Sequence, residues 1–500
     1  MLILPPIVKN IIAFFAGTAT VFGFAPFDLY PLAMLGPGIL LLLWLSADTR
    51  GAFQYGWAFG LGMFGIGVFW MHISINQFGN VGLYLAIFIT LAFITAMALY
   101  YGLVGWLGKR MAGSASRTMQ LVTFVLLWTL IEWMRGWVLS GFPWLALGYS
   151  QLGTPLQGYA PLLGVYGIGL MMLVTAASVV SVIVSRFRTA VPVLLLLVLV
   201  WGGGWLLTEK QWATPSGDPF KVSVIQANVA QSLKWRPRAR QPTIDLYLAM
   251  TRMEWGSDLV VWPETAMPAF YHELEQELFP ELERELKDNS SDLLLGIPVR
   301  EDSGLRYFNA MVTLGSARNS YYKRHLVPFG EFMPMRLLLQ PLIRFLDIPM
   351  SNFAPGEAER PLLQVAGHKA GVSICYEDAF GDEIIQALPD AEFLINASND
   401  AWFGDSLALP QHLQIARMRS LETGRYQLRA TNTGISAFIG PRGELISSSP
   451  IFKEFVLRGE IVPMRGMTPY ARMGNWGVVL SVLLMLGIVI VLRPLRAETF

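Results

Sequence analysis

A chain of 500 residues that is 53% hydrophobic and only 15% charged, with a mean hydropathy of +0.46, carries more apolar surface than a water-facing domain can cover. The composition is that of an integral membrane protein. Its net charge of +1 gives no electrostatic ground for nucleic-acid binding, and its single cysteine excludes an intramolecular disulfide and is silent on redox compartment.

Seven apolar segments fill the first part of the chain, at 7–24, 32–45, 53–73, 81–107, 119–137, 162–184 and 191–207. Each except the short second one is near the ~20 residues that cross a bilayer core. Residues 1–24, with Lys9 as a basic end, have the outline of a signal peptide but no convincing cleavage site, so the segment is expected to be retained. Lys9, then Arg50, then Lys109, Arg110 and Arg117, then Arg186 and Arg188 fall at the start and in every second connection. Those ends are expected to be cytoplasmic. The block after the seventh span then lies outside, and an eighth span, 476–492, returns the chain to a basic tail with Arg493 and Arg496. The expected domains are a seven-helix bundle at 1–210, an extracytoplasmic domain at 218–466, the eighth helix at 472–492 and a cytoplasmic tail at 493–500.

Glu132 and Arg135, one helical turn apart near the end of the fifth span, are expected to pair, because ionisable groups there are costly alone. Phe142-Pro-Trp144 reads either as the lining of a lipid-entry cavity or as an interfacial aromatic anchor. His72 reads as a polar residue at a span end. With His272, His325, His368 and His412 it makes five scattered histidines without ligand spacing, and no metal is expected.

The outer block alternates strands and helices, which indicates a layered α/β domain. Strands are expected from Lys221, over 259–262, 292–297, 307–314, 321–326, 372–374, 392–396, 427–430, 434–439, 445–446 and 455–461, and helices over 243–255, 378–388 and 411–426. Pro263 stops the second of these strands, so the Glu264 carboxylate stands positioned at a strand end. Cys375 sits at a strand-to-helix elbow. An elbow exposes a side chain at the sheet end and aims the next backbone N–H groups at the same spot, which suits a nucleophile; a buried cysteine acting as a small hydrophobe is the other reading.

Glu264 in Trp-Pro-Glu, Lys323 in Tyr-Tyr-Lys-Arg-His-Leu-Val-Pro-Phe-Gly-Glu and Cys375 in Ile-Cys-Tyr-Glu resemble, in order and rough spacing, the Glu-Lys-Cys triad of the carbon-nitrogen hydrolase (nitrilase) superfamily. Seven spans before that domain and one after it are similar to the membrane-bound apolipoprotein N-acyltransferase family. Phe142-Pro-Trp144, Ser398-Asn-Asp-Ala-Trp-Phe-Gly404 and Ala430-Thr-Asn-Thr-Gly-Ile-Ser436 match as well. The resemblance implies an α-β-β-α sandwich beside a membrane bundle of about eight transmembrane helices, in the bacterial inner membrane, with the catalytic domain periplasmic and both termini cytoplasmic. It implies transfer of an acyl chain from a phospholipid to the α-amine of a diacylglyceryl-cysteine apolipoprotein, as the last step of lipoprotein maturation, with no cofactor. It also makes Asn309, Trp235 and Trp402 supporting or binding candidates, Asn309 and Trp235 being equally readable as core or loop residues.

The chemistry needs these residue types. A thiol is only slightly ionised at neutral pH, so a carboxylate base and a nearby ammonium raise its reactivity. Glu264 takes and returns the proton, Lys323 and the Tyr376 N–H hold the oxyanion, and Cys375 carries an acyl thioester. Glu377 is a further carboxylate nearby. Glu331 orients Lys323 or Glu264 by resemblance, or is a surface carboxylate. His325 is either a base for the thiol or structural. Residues 332–346, apolar with two arginines, form either an arm towards the bilayer or a packed helix between two prolines. Two rival functions remain: a membrane-anchored amidase passing the acyl group to water, and a polytopic binding or transport protein.

Overall fold

The computed structural model describes residues 4–77, 79, 81–300, 304, 306–332, 353–357, 359 and 361–492. The chain divides into two units. Met1–His72, Leu83–Lys210 and Met473–Phe500 form one; Ile73–Gly82 and Gln211–Arg472 form the other. Apart from Phe332, the apolar stretch 332–346 lies outside the described residues, as do Arg493 and Arg496.

The first unit is built of helices: α1 Pro6–Val21, α2 Tyr30–Leu45, α3 Thr49–Gly67, the start of α4 Met71–Gln77, α5 Leu83–Ala112, α6 Arg117–Arg135, α7 Ala160–Val184, α8 Ala190–Thr208 and the helix Trp476–Val491. The third expected span is interrupted: α3 stops at Gly67, and α4 restarts at Met71. His72 sits in that restart, its Nδ1 2.6 Å from the Phe69 carbonyl. Among the described residues three helices are both long and apolar enough to cross a membrane, Leu83–Ala112, Pro155–Val184 and Ala190–Thr208, with a fourth if α3 and α4 count together. α1, α2 and Trp476–Val491 have 16 residues each, about 24 Å at ~1.5 Å per residue, against a core of ~30 Å.

Small residues let these helices touch. A Cβ on Gly62 of α3 would stand 2.0 Å from the Phe14 carbonyl of α1, the close backbone approach that replaces hydrophobic driving force in an apolar medium. Trp44, Phe59, Tyr101, Phe124 and Trp128 fill the centre with edge and stacked ring contacts. Glu132 and Arg135 do approach, at 3.9 Å. Their shorter contacts, however, go to one loop: Arg135 Nη1 donates to the Phe142 and Trp144 carbonyls at 2.5 and 2.7 Å, and the Leu147 N–H donates to Glu132. That loop folds Trp144 inward, 2% exposed and against Trp70, so it is no surface anchor.

In the second unit the strands are β1 Ala213–Pro215, β2 Phe220–Gln226, β3 Leu259–Val261, β4 Asp292–Arg300, β5 Tyr307–Leu314, β6 Ser320–Tyr322, β7 Leu363–Val365, β8 His368–Ile374, β9 Phe393–Ser398, β10 Gln427–Thr431, β11 Ala437–Ile439, β12 Leu445–Ser448, β13 Phe455–Ile461 and β14 Met464–Gly466. They form two six-stranded sheets, ordered β13-β2-β3-β4-β5-β6 and β12-β11-β10-β9-β8-β7, and a β1-β14 pair. Alternation along each strand explains the layers. Val222, Val224, Val261 and Leu294 of the first sheet meet Val372, Ile374, Ile395 and Leu428 of the second in a shared core. On the outer face of the first sheet, Ile225, Val260, Leu293 and Leu295 pack against Ile244, Tyr247 and Leu248 of the helix Pro237–Arg252 and Leu282 of Phe279–Asp288. Helix Ala408–Thr423 covers the second sheet through Leu413 and Ala416. The result is an α-β-β-α sandwich.

Two expectations need correction here. Residues 378–388 do not form one helix; a 3-10 turn at Cys375–Ala379 precedes the short helix Gly381–Ile384 and a second turn, Ile385–Ala387. Strand 321–326 ends at Tyr322 instead, because the Arg324 and His325 N–H groups turn to the buried Glu377 carboxylate, at 2.7 and 3.1 Å, and leave the ladder.

Candidate active site

β2, β3 and β4 run parallel, as do β8, β9 and β10. The chain therefore leaves β3, β8 and β9 at C-terminal strand ends, where open sheets present side chains to ligands. Glu264 follows β3, Cys375 follows β8 and Asn399 follows β9.

Glu264 is held on both carboxylate oxygens: Asn309 Nδ2 of β5 donates to Oε1 at 2.7 Å and the Asn399 N–H to Oε2 at 2.8 Å. Gly296 on β4 permits this placement, since a Cβ there would lie 2.3 Å from the Pro263 carbonyl and 2.8 Å from Glu264 Cα. Lys323, 1% exposed, sits 3.8 Å from Glu264 Oε1 and 2.9 Å from Glu331 Oε1. Glu331 is thus not a surface carboxylate. It also accepts from Asn309 and from the Val327 N–H, so one carboxylate ties together the lysine, the asparagine and its own loop.

Cys375 opens the 3-10 turn with φ +53°, a left-handed conformation that costs a non-glycine residue about 1–3 kcal/mol. Glu377 supports the turn from below. Fully buried, it accepts from the Ile374 N–H at 2.7 Å, from Tyr321 Oη at 2.9 Å, and from the Arg324 and His325 N–H groups. The elbow and the loop after Lys323 therefore share one anchor. Tyr376 packs its half-buried ring edge-on against Phe380, and His325 stacks on Phe380 with Nδ1 2.6 Å from Glu383. Trp402 is half-buried in the turn after β9, its carbonyl accepting from Ser74 Oγ at 2.5 Å. Trp235, exposed, closes the short helix Gln231–Lys234.

Burial pushes the Cys375 thiol up to about 12, Glu264 adding to the rise and Lys323 opposing it. Burial likewise raises Glu264, with Lys323 restraining the rise. For Lys323 burial works against the charge, but Glu331 and Glu264 outweigh it and hold the ammonium well above its usual range. A protonated thiol, a carboxylate that titrates upward and a fixed cation stand together, which is an arrangement for proton transfer during attack on a carbonyl.

Residues 16–178 match the family model described as the apolipoprotein N-acyltransferase N-terminal domain, and residues 221–467 that of carbon-nitrogen hydrolase. An apolipoprotein N-acyltransferase from Methylococcus capsulatus is 44% identical over 466 residues, covering 93% of this chain and 92% of its own. One from Nitrosomonas europaea is 41% identical over 470 residues, covering 93% and 94%. The chain belongs to the apolipoprotein N-acyltransferase family. A solved carbon-nitrogen hydrolase superfamily protein from Xanthomonas campestris aligns at 18% identity and a TM-score of 0.35 over 49% of this chain and 91% of its own. Membership supports an acyltransferase acting in lipoprotein N-acylation, and the apolar helices fit the family's membrane location.

Sequence reasoning on this apolipoprotein N-acyltransferase family member missed several buried groups. Lys234, 1% exposed, places Nζ 3.5 Å from the Glu264 carbonyl, and burial brings its ammonium down to about 8 against the pull of Glu264. Asn399 Nδ2 donates to Gln231 Oε1 at 2.7 Å, and Asn432 brackets Val229, so the segment carrying Lys234 is sewn to the ends of β9 and β10. Asn396, Asp400, His412 and Arg429 lie fully buried around the elbow. Asn396, Asp400 and Arg429 lie in or beside matched stretches of the sequence, whereas nothing local marks His412.

Proposed function

We propose that this protein transfers an acyl chain from a phospholipid to the α-amine of a diacylglyceryl-cysteine apolipoprotein, in a ping-pong reaction through a Cys375 thioester. The observation that carries the proposal is the buried cluster of Glu264, Lys323 and Cys375 at the strand ends, in a chain with family membership along nearly its whole length. Glu264 takes the thiol proton as Cys375 Sγ attacks the ester carbonyl. Lys323 Nζ and the Tyr376 N–H hold the oxyanion. Collapse breaks the C–O bond, Glu264 returns the proton, and lysophospholipid leaves. The acceptor amine then attacks the thioester, Glu264 takes its proton, and collapse releases the amide and restores the thiol. An ester becomes an amide, which is downhill and needs no nucleotide.

Glu331 orients Lys323, Asn309 orients Glu264, and Glu377 positions the elbow; Trp235 and Trp402 are assigned to substrate binding. The helical unit holds lipid substrates at the bilayer with about eight spans. On this reading 1–210 and 472–492 are membrane domains, 218–466 is a periplasmic catalytic domain, and 493–500 is a cytoplasmic tail. The alternation of basic connections supports the orientation.

Product analysis tests the transfer. With phospholipid and a diacylglyceryl-cysteinyl peptide, N-acylated peptide and lysophospholipid are expected in equal amounts. Free fatty acid in place of acylated peptide would identify an amidase-like hydrolysis to water.

A further inference from the structure

Around the Cys375 elbow, hydrogen bonds close a ring. Arg429 of β10 stands opposite Asn396 of β9 in the parallel register and donates from Nη1 to Asn396 Oδ1 at 2.6 Å. Asn396 Nδ2 donates in turn to the Cys375 carbonyl at 3.3 Å. From the other side, His412 of helix Ala408–Thr423 brings Nε2 to 3.3 Å from that same carbonyl and Nδ1 to 3.1 Å from Asp400 Oδ1. Asp400 Oδ2 accepts from Arg429 Nη2 at 2.8 Å, and the ring is complete. Ser398 Oγ donates to Asp400 at 2.7 Å and also hydrogen-bonds the Cys375 side chain.

A peptide carbonyl and an ionised carboxylate only accept hydrogen bonds. Burial opposes ionisation of Asp400, but Arg429 and His412 outweigh it and hold the carboxyl well below the usual range. Asp400 faces His412 Nδ1 and the Cys375 carbonyl faces Nε2, so the imidazole stands between two acceptors. The other charged or titratable groups acting in this cluster are Arg429, Asp378, Cys375 and, on the same helix, Arg419.

We propose that His412 is a positioning residue for acyl transfer, which with Asn396 clamps the Cys375 carbonyl and so aims the Tyr376 N–H at the oxyanion. The 375–376 peptide is planar and trans, so its C=O and N–H point in opposite directions and fixing one fixes the other. The clamp acts where φ is +53°, a conformation that persists only when its surroundings impose it. Hydrogen bonds on the carbonyl also polarise the amide, which makes the N–H a better donor. The inference rests on acyl transfer through Cys375.

The test compares two reactions of that thiol in the full chain. Acylation by phosphatidylethanolamine passes through an oxyanion; alkylation by iodoacetamide displaces iodide at an sp³ carbon and forms none. His412→Phe is expected to slow both formation of the acyl-enzyme and its discharge to a diacylglyceryl-cysteinyl peptide by roughly 10²-fold, the scale of a lost oxyanion donor. The donor KM and the alkylation rate stay at wild-type values. His412→Gln, which keeps a neutral donor, recovers part of the loss, and it carries the comparison if the Phe variant does not fold. Parallel loss of alkylation and acylation would mean that the thiol itself has moved, and undiminished acylation would mean that the clamp is idle; either overturns the proposal. A wild type that forms no acyl-enzyme overturns the transfer reading itself.

Discussion

At the scale of the residue, the governing fact is a thiol that burial pushes up to about 12. At neutral pH Cys375 is protonated, so its attack waits on a base, and Glu264 is the carboxylate assigned to that task. Glu264 must be ionised to act, and burial raises it above its ordinary value of 4.5. Acyl-enzyme formation is therefore expected to rise with pH as Glu264 deprotonates, and to be lost as pH falls through a midpoint above 4.5. Glu264→Gln removes that limb and lowers the rate by roughly 10²–10⁴. Single-turnover rates between pH 4 and 9 check both; an unchanged limb in the variant would assign the base elsewhere. Lys323 stays charged across that range and contributes no limb of its own.

At the scale of the element, the site depends on how closely β4 lets the chain after β3 approach. A methyl at position 296 would meet the Pro263 carbonyl and the Thr265 N–H at 2.3 and 2.5 Å. Gly296→Ala is expected to displace Glu264, with about 1–3 kcal/mol of overpacking and a loss near 10² in acylation rate for a shift of about 1 Å. Denaturant unfolding and single-turnover acylation measured together would reveal it; full activity would show that the strand yields elsewhere. The doubly buried strands were legible as short apolar runs, and β5 and β13 were read at their full bounds. β1, β7 and β14, of three residues each, are too short to show alternation. The sequence pattern places Lys323 in a strand because nothing local reveals that Glu377, 52 residues beyond His325, draws that backbone away. Separation in sequence also hides the ring at the elbow, whose bonds join residues 12 to 37 positions apart. In the sequence His412 is only one of five histidines without ligand spacing, and its meaning arises from the Arg429–Asn396 register and a helix passing back over the sheet.

At the scale of the whole molecule, a water-soluble amide would need no apolar helical unit in the same chain as a thiol site, so the proposed lipid substrates account for one chain carrying both. In a Cys375→Ser background, a cysteine at Lys453, exposed in the α/β unit, is expected to react with a membrane-impermeant maleimide in intact spheroplasts. One at Arg188, exposed between α7 and α8, is expected to react only after permeabilisation. The reverse pattern would invert the orientation. The most direct test of the central claim is the intact mass of the purified protein after incubation with phospholipid and no acceptor. A gain of one acyl chain is expected on the wild type, none on Cys375→Ala, and loss of that gain when a diacylglyceryl-cysteinyl peptide is added. A wild type that stays unmodified while lysophospholipid also fails to appear would contradict the central claim.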